Sequence, residues 1–121
     1  MGEDSIEQLK LAAESAEDAF EERKPRLLWI ELGSTKVISK KSTSNRSYHH
    51  LLDSWEIEVR IMLELSTTAA EAEEELVRAI FKKRKLKRYL GEIARFKAIR
   101  DTKLQDDLER IQTLRQFRQK D

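Results

Sequence analysis

Cysteine is absent from this chain, which excludes disulfide bridges, thiolate nucleophiles and every zinc site built on cysteine. Three glycines are too few for a phosphate-binding glycine loop. No stretch approaches the roughly 18 consecutive apolar residues of a membrane-spanning helix. The opening Met1-Gly2-Glu3-Asp4-Ser5 is acidic, where a secretory leader would be basic and then apolar. These absences lead to the expectation of a soluble intracellular protein, cytoplasmic or nuclear, with no membrane partner. The single proline, Pro25, is the chain's strongest helix breaker.

What is present is charge in balance with apolar residues. Charged residues make up 39% of the 121 and the apolar class another 39%, enough Leu, Ile, Val, Phe and Trp to keep the chain out of the disordered class. The length suits one domain over 1–121, divided into a body over 1–100 and a distal helical segment over 101–121. The net charge of +1 conceals segregation. From Met1 to Glu22 eight acids face Lys10 alone, and from Arg78 to Lys103 eleven bases face Glu92 and Asp101. An acidic N-terminal helix lying against the basic segment would neutralise it from within.

The pattern of apolar residues predicts an α+β fold: an N-terminal helix, a small antiparallel sheet of two or three strands, and a long C-terminal helix or helical hairpin. Ile6, Leu9, Ala13, Ala16 and Phe20 recur at helical spacing, capped by Asp4 or Ser5 and stopped by Pro25. Leu27 to Leu32, a turn at Gly33-Ser34 and Lys36 to Ser39 read as a β-hairpin. Lys40 to Ser47 has no apolar residue and reads as a loop. In Trp55 to Leu65 every odd position is apolar and every even one except Met62 is charged, the period of a half-buried strand. Thr68 with Glu71 suggests a capping box opening the long helix, and Thr102 with Gln105 suggests another at a bend near Arg100 to Thr102. In element order, Ser5 to Leu90 is similar to the double-stranded-RNA-binding domain. Where that family carries a lysine cluster at the start of its last helix, this chain has Thr68, Glu71, Glu73, Glu74 and Glu75, so none of the family's residues is transferred.

No constellation of residues signals catalysis, and no enzyme, cofactor or metal site is expected. His49-His50 lacks further ligands for a metal. Glu56 and Glu58, beside Arg60, suit ion pairing better than acid-base chemistry. Asn45-Arg46-Ser47 matches a glycosylation sequon, and the serines and threonines from Ser42 to Ser47 offer modification sites in a loop. Trp29 and Trp55 read as core or interface anchors. The run Phe81 to Arg88, "FKKRKLKR", admits a solvated helix face, a polyanion site or a nuclear address. On a helical wheel Arg84, Lys87, Arg88 and Arg95 share the outer side, and Lys82 and Lys83 border the apolar side.

Two functions follow as expectations. The first is a non-enzymatic interaction or assembly subunit, a homo-oligomer or partner of another protein, associating in coiled-coil fashion through Leu104, Leu108, Ile111, Leu114 and Phe117. The second is RNA or DNA binding through the backbone phosphates by Arg84, Lys87, Arg88 and Arg95.

Overall fold

The structure is a computed structural model that describes residues 2–118. It corrects the expected α+β fold: the described residues form three long helices and no strand. Helix α1 spans Glu3–Ile38, α2 spans Asn45–Ile80 and α3 spans Lys83–Phe117. α2 is the central helix. It runs antiparallel to both neighbours and packs on each, whereas α1 and α3 make no close backbone approach to one another.

α1 does not stop at Pro25. Its buried residues Ala13, Phe20, Leu27 and Ser34 recur every seven positions, with Ile38 following, so one apolar stripe passes straight through the proline. An interior proline costs a helix about 3 kcal/mol or more. Here the ring is on the exposed side, and burial of Leu27 and Ile38 against α2 outweighs the cost. The hairpin expected over Leu27 to Ser39 is therefore helix, and Ser34, read as a turn residue, is buried.

The expected strand Trp55 to Leu65 is also helix, for a reason that its position explains. Tyr48, Leu52, Trp55, Val59, Met62, Ser66 and Ala69 are buried at alternating four- and three-residue steps, the spacing of a helix seam. Because α2 is covered by helices on two sides, its apolar arc is wide, and Ile61, Leu63 and Leu65 occupy the flanks of that arc half-buried. A wide arc sampled at 100° per residue imitates period two. What reaches water is a narrow stripe through Ile57, Arg60, Glu64, Thr68 and Glu71.

Both expected capping boxes lie inside helices. Thr68 and Thr102 donate their hydroxyls back to the carbonyls of Glu64 and Ala98, the usual way a helix accommodates threonine. The true cap is Ser44, whose Oγ accepts from the Ser47 backbone N–H at 3.2 Å. The expected long helix from Ala69 onward is broken at Phe81-Lys82 rather than near Thr102, and α3 passes through Asp101 and Thr102 without interruption. The comparison with the double-stranded-RNA-binding domain falls with the sheet it needed.

The core is concentrated at one end of the bundle. Phe20, Leu27 and Ile38 of α1 meet Tyr48, Leu52, Trp55, Val59 and Met62 of α2 and Leu104 and Ile111 of α3. Polar links close the same end. The Tyr48 hydroxyl donates to the Leu114 carbonyl at 2.6 Å, and Arg118 donates to the carbonyls of Thr43 and Lys40 in the α1–α2 loop. Arg115 binds Asp53 at 2.8 Å and also Glu56, tying α3 to the first turns of α2. Burial works against the Arg115 charge, but hydrogen bonds to those two carboxylates outweigh it and raise its pKa. Hydrogen bonds from Arg60 and Arg115 hold the Glu56 carboxyl below its ordinary pKa.

Candidate functional site

At the other end of the bundle α1 and α3 stand apart. From Lys83 to Lys103 α3 contributes no buried residue, since its buried set is Leu104, Asp107 and Ile111. Leu86, Tyr89, Leu90 and Ile93 are half-buried against α2, and Phe96 and Ile99 face water. The result is an apolar groove of about 1270 Å³, walled by α1 and α3 and floored by Met62, Ala69, Ala70, Leu76 and Val77 of α2. That volume is larger than a typical small-molecule pocket. It equals about three turns of a helix 10 Å across.

Three side-chain bridges cross the space between the walls. Arg100 reaches Glu17 at 3.2 Å and also bonds the Ser66 hydroxyl and carbonyl at 3.0 Å, with its guanidinium over the Phe20 ring. Lys103 and Arg110 meet Glu31 at 3.2 and 3.7 Å. Below them Asp107 pairs with Lys103 at 2.8 Å. Burial raises the Asp107 pKa by more than the lysine lowers it, and the hydrogen bonds of Lys103 to Asp107 and Glu31 overcome its own burial. Glu17, Arg100, Lys103 and Glu31 themselves line the groove.

The groove continues onto the outer face of α1. Leu28 lines it and is exposed at its edge, and beside it Trp29, 81% exposed, and Leu32 stand in water with Pro25. Such a contiguous apolar area is the usual mark of an interaction surface. Sequence reasoning missed it because Leu28, Trp29 and Leu32 were assigned to a strand. Carrying the Ala13-Phe20-Leu27 heptad through Pro25 would have placed them on the outside of a helix.

The residues expected to mediate association have a different situation. Leu104 and Ile111 are buried within the chain, and Leu108 and Leu114 are packed half-buried on the same core. Only Phe117, 76% exposed, stays free of that core. The distal stripe thus finds its cover in α1 and α2 of its own chain.

The expected nucleic-acid residues Arg84, Lys87, Arg88 and Arg95 are all exposed on α3. Arg88 is 3.6 Å from Glu92, and among the described residues the ion pairing between the acidic half of α1 and α3 comes down to Glu17 with Arg100. The internal neutralisation suggested by the segregated charge does not extend to the basic run. The run itself straddles a helix break, with Phe81 ending α2, Lys82 capping α3 without a side-chain bond, and Phe81 stacked on Tyr89 at 4.3 Å and 26°.

Of the two histidines, His49 is buried and hydrogen-bonds the Arg118 carbonyl at 2.9 Å, and His50 is exposed. Among the described residues no cluster of three possible metal ligands occurs, and no helix is long and apolar enough to cross a membrane. Glu56 and Glu58 are held by Arg60, Arg115 and Arg23, with Arg23 to Glu58 at 2.8 Å. Asn45 of the sequon begins α2. Comparison with protein families, with curated proteins and with solved structures finds no match.

Proposed function

We propose that the protein is a non-enzymatic assembly subunit that pairs with a second copy of itself through the outer face of α1 and the adjoining mouth of the groove. The observation that carries this reading is the apolar groove between α1 and α3, with Leu28, Phe96 and Ile99 exposed at its edge. Water-facing apolar surface of this extent gains free energy from being covered, at about 25 cal/mol for each Å² removed from water.

The charge pattern of α1 selects a second copy as the cover. Its first half is acidic, and from Arg23 to Lys36 four bases face Glu31 alone. Two such helices laid antiparallel over their second halves put the end of each acidic half beside the basic end of the other. With the two-fold axis between Leu28 and Trp29, Trp29 meets Leu28 of the second copy, Leu32 meets Pro25, and Glu21 meets Lys36. All six positions lie within about 50° of one direction on the helix at 100° per residue. That face is self-complementary, as a two-fold interface requires. The same register carries the second half of each α1 along the mouth of the other's groove, towards Phe96 and Ile99.

Sedimentation velocity of the wild type and of Trp29→Asp tests the reading. The wild type is expected to sediment at twice the 14.3 kDa chain mass, and Trp29→Asp at the chain mass. Because Trp29 is 81% exposed, the helical circular dichroism of the variant is expected to be unchanged. A wild type that stays at one chain mass at every concentration, or a variant that stays paired, contradicts it.

A further inference from the structure

We infer that the corner between α2 and α3 is a binding site for the phosphate backbone of duplex nucleic acid, read without sequence preference. Seven cations lie between Arg78 and Arg88, and no acid occurs from Leu76 to Gly91. Elsewhere the chain pairs its long-range charges, as in Arg23 with Glu58, Arg100 with Glu17, Lys103 with Glu31 and Arg115 with Asp53. At the corner the ion pairing among the described residues comes down to Arg88 with Glu92 at 3.6 Å.

The placement of these cations is unfavourable for the helix that carries them. Lys83, Arg84 and Lys85 open α3, where the helix dipole is already positive and stabilises acids, yet the first turn holds none. Arg84 and Arg88, and Lys83 and Lys87, add like-charge neighbours four apart. Such a conflict between local charge and helix geometry is expected where an outside anion resolves it. An anionic backbone would gain from both the side chains and the dipole.

Geometry favours an extended polyanion over a small one. Arg84, Lys87, Arg88 and Arg95 share one exposed face of a helix without a break, and Arg84 to Arg95 spans about 16 Å at 1.5 Å per residue. That exceeds the roughly 12 Å width of a duplex major groove, so the two ends of the stripe can meet phosphates on both walls. The Phe81–Tyr89 stack fastens the corner and is itself half-buried on the other side of the helix. The cationic face therefore offers phosphate contacts and no platform for base stacking.

The test uses the full chain and a fluorescent DNA duplex of mixed sequence, titrated by anisotropy at about 50 and 200 mM salt. Four phosphate contacts predict a loss of affinity of about 100-fold between those conditions. The triple variant Arg84→Glu, Lys87→Glu and Arg88→Glu, all at exposed positions, is expected to lose binding while keeping its helicity and its sedimenting mass. The inference is overturned by absence of binding at low salt, by binding that ignores salt, or by a variant that binds as the wild type does. It is likewise overturned if polyglutamate competes as well as DNA, which would make the corner an acidic-peptide site. If the charge reversal instead splits the pair of chains, the cations serve the second copy and the inference fails. The Trp29→Asp variant, altered far from the corner, separates this outcome from a failure of self-association.

Discussion

Ile111→Asp is expected to abolish the folded state of the chain. Ile111 is fully buried between α3 and the core residues of α1 and α2, so the change removes about 1.5–3 kcal/mol of apolar burial and buries a carboxylate with no partner, costing several more. The sum is on the order of the 5–15 kcal/mol that holds a small domain together. Circular dichroism is expected to show a cooperative urea transition for the wild type and none for the purified variant. This outcome differs from the one expected of an intermolecular coiled coil, where the same substitution would separate folded chains. Persistence of a folded single chain in the variant would show that Ile111 belongs to an interface and not to the core.

The second large effect is at Trp55, the biggest of the fully buried side chains. It sits about a third of the way along α2 with Arg110 over its ring at 5.6 Å, within the cluster that joins all three helices. Trp55→Ala is expected to lower the unfolding free energy by about 3–5 kcal/mol through lost burial and the cavity left behind. The midpoint in urea should fall with little change in slope. Trp55→Phe is expected to cost much less, because the indole Nε1–H is buried with no acceptor among the described residues. Its removal ends a desolvation penalty. Equal losses in both variants would contradict the placement of Trp55 in an apolar core.

Part of this fold was legible in the sequence. The helical spacing from Ile6 to Phe20 belongs to α1 as expected, and the stripe Leu104, Leu108, Ile111 and Leu114 is a true apolar face of α3. The strands were misread for two separate physical reasons. Pro25 with Gly33-Ser34 supplies strong local breaker signals, which lose to a heptad whose burial on α2 is a tertiary effect. In Trp55 to Leu65 the period-two pattern arises because α2 is packed on both sides, and the period of its buried set becomes visible only over the longer stretch from Tyr48 to Ala69. The break at Phe81-Lys82 has no local signal at all, since no proline or glycine marks it. It follows from the need of α3 to return along α2 and bury Leu104 and Ile111.

The candidate sites divide in the same way. Arg84, Lys87, Arg88 and Arg95 were visible as one face, because a local helix was enough to align them. The groove was invisible, since Ala13, Phe20 and Leu28 line it together with Ala70, Val77, Phe96 and Ile99. Those residues come from three helices and share a wall only after folding. Association was assigned to Leu104 and Ile111 for want of any other cover for the distal stripe. Once α1 and α2 cover that stripe, the uncovered apolar surface moves to Leu28, Trp29 and Leu32 on α1.

The most direct test of self-association through α1 exploits the absence of cysteine. Glu21→Cys and Lys36→Cys are made as separate proteins, each with a single thiol at an exposed position, and are oxidised alone and as a mixture. In the antiparallel pair position 21 of one copy lies beside position 36 of the other, and like positions are separated by about 22 Å at 1.5 Å per residue, beyond the reach of a disulfide. The account predicts a covalent dimer in the mixture and none in either protein alone. Absence of cross-linking in the mixture, or equal cross-linking in each protein alone, would contradict it.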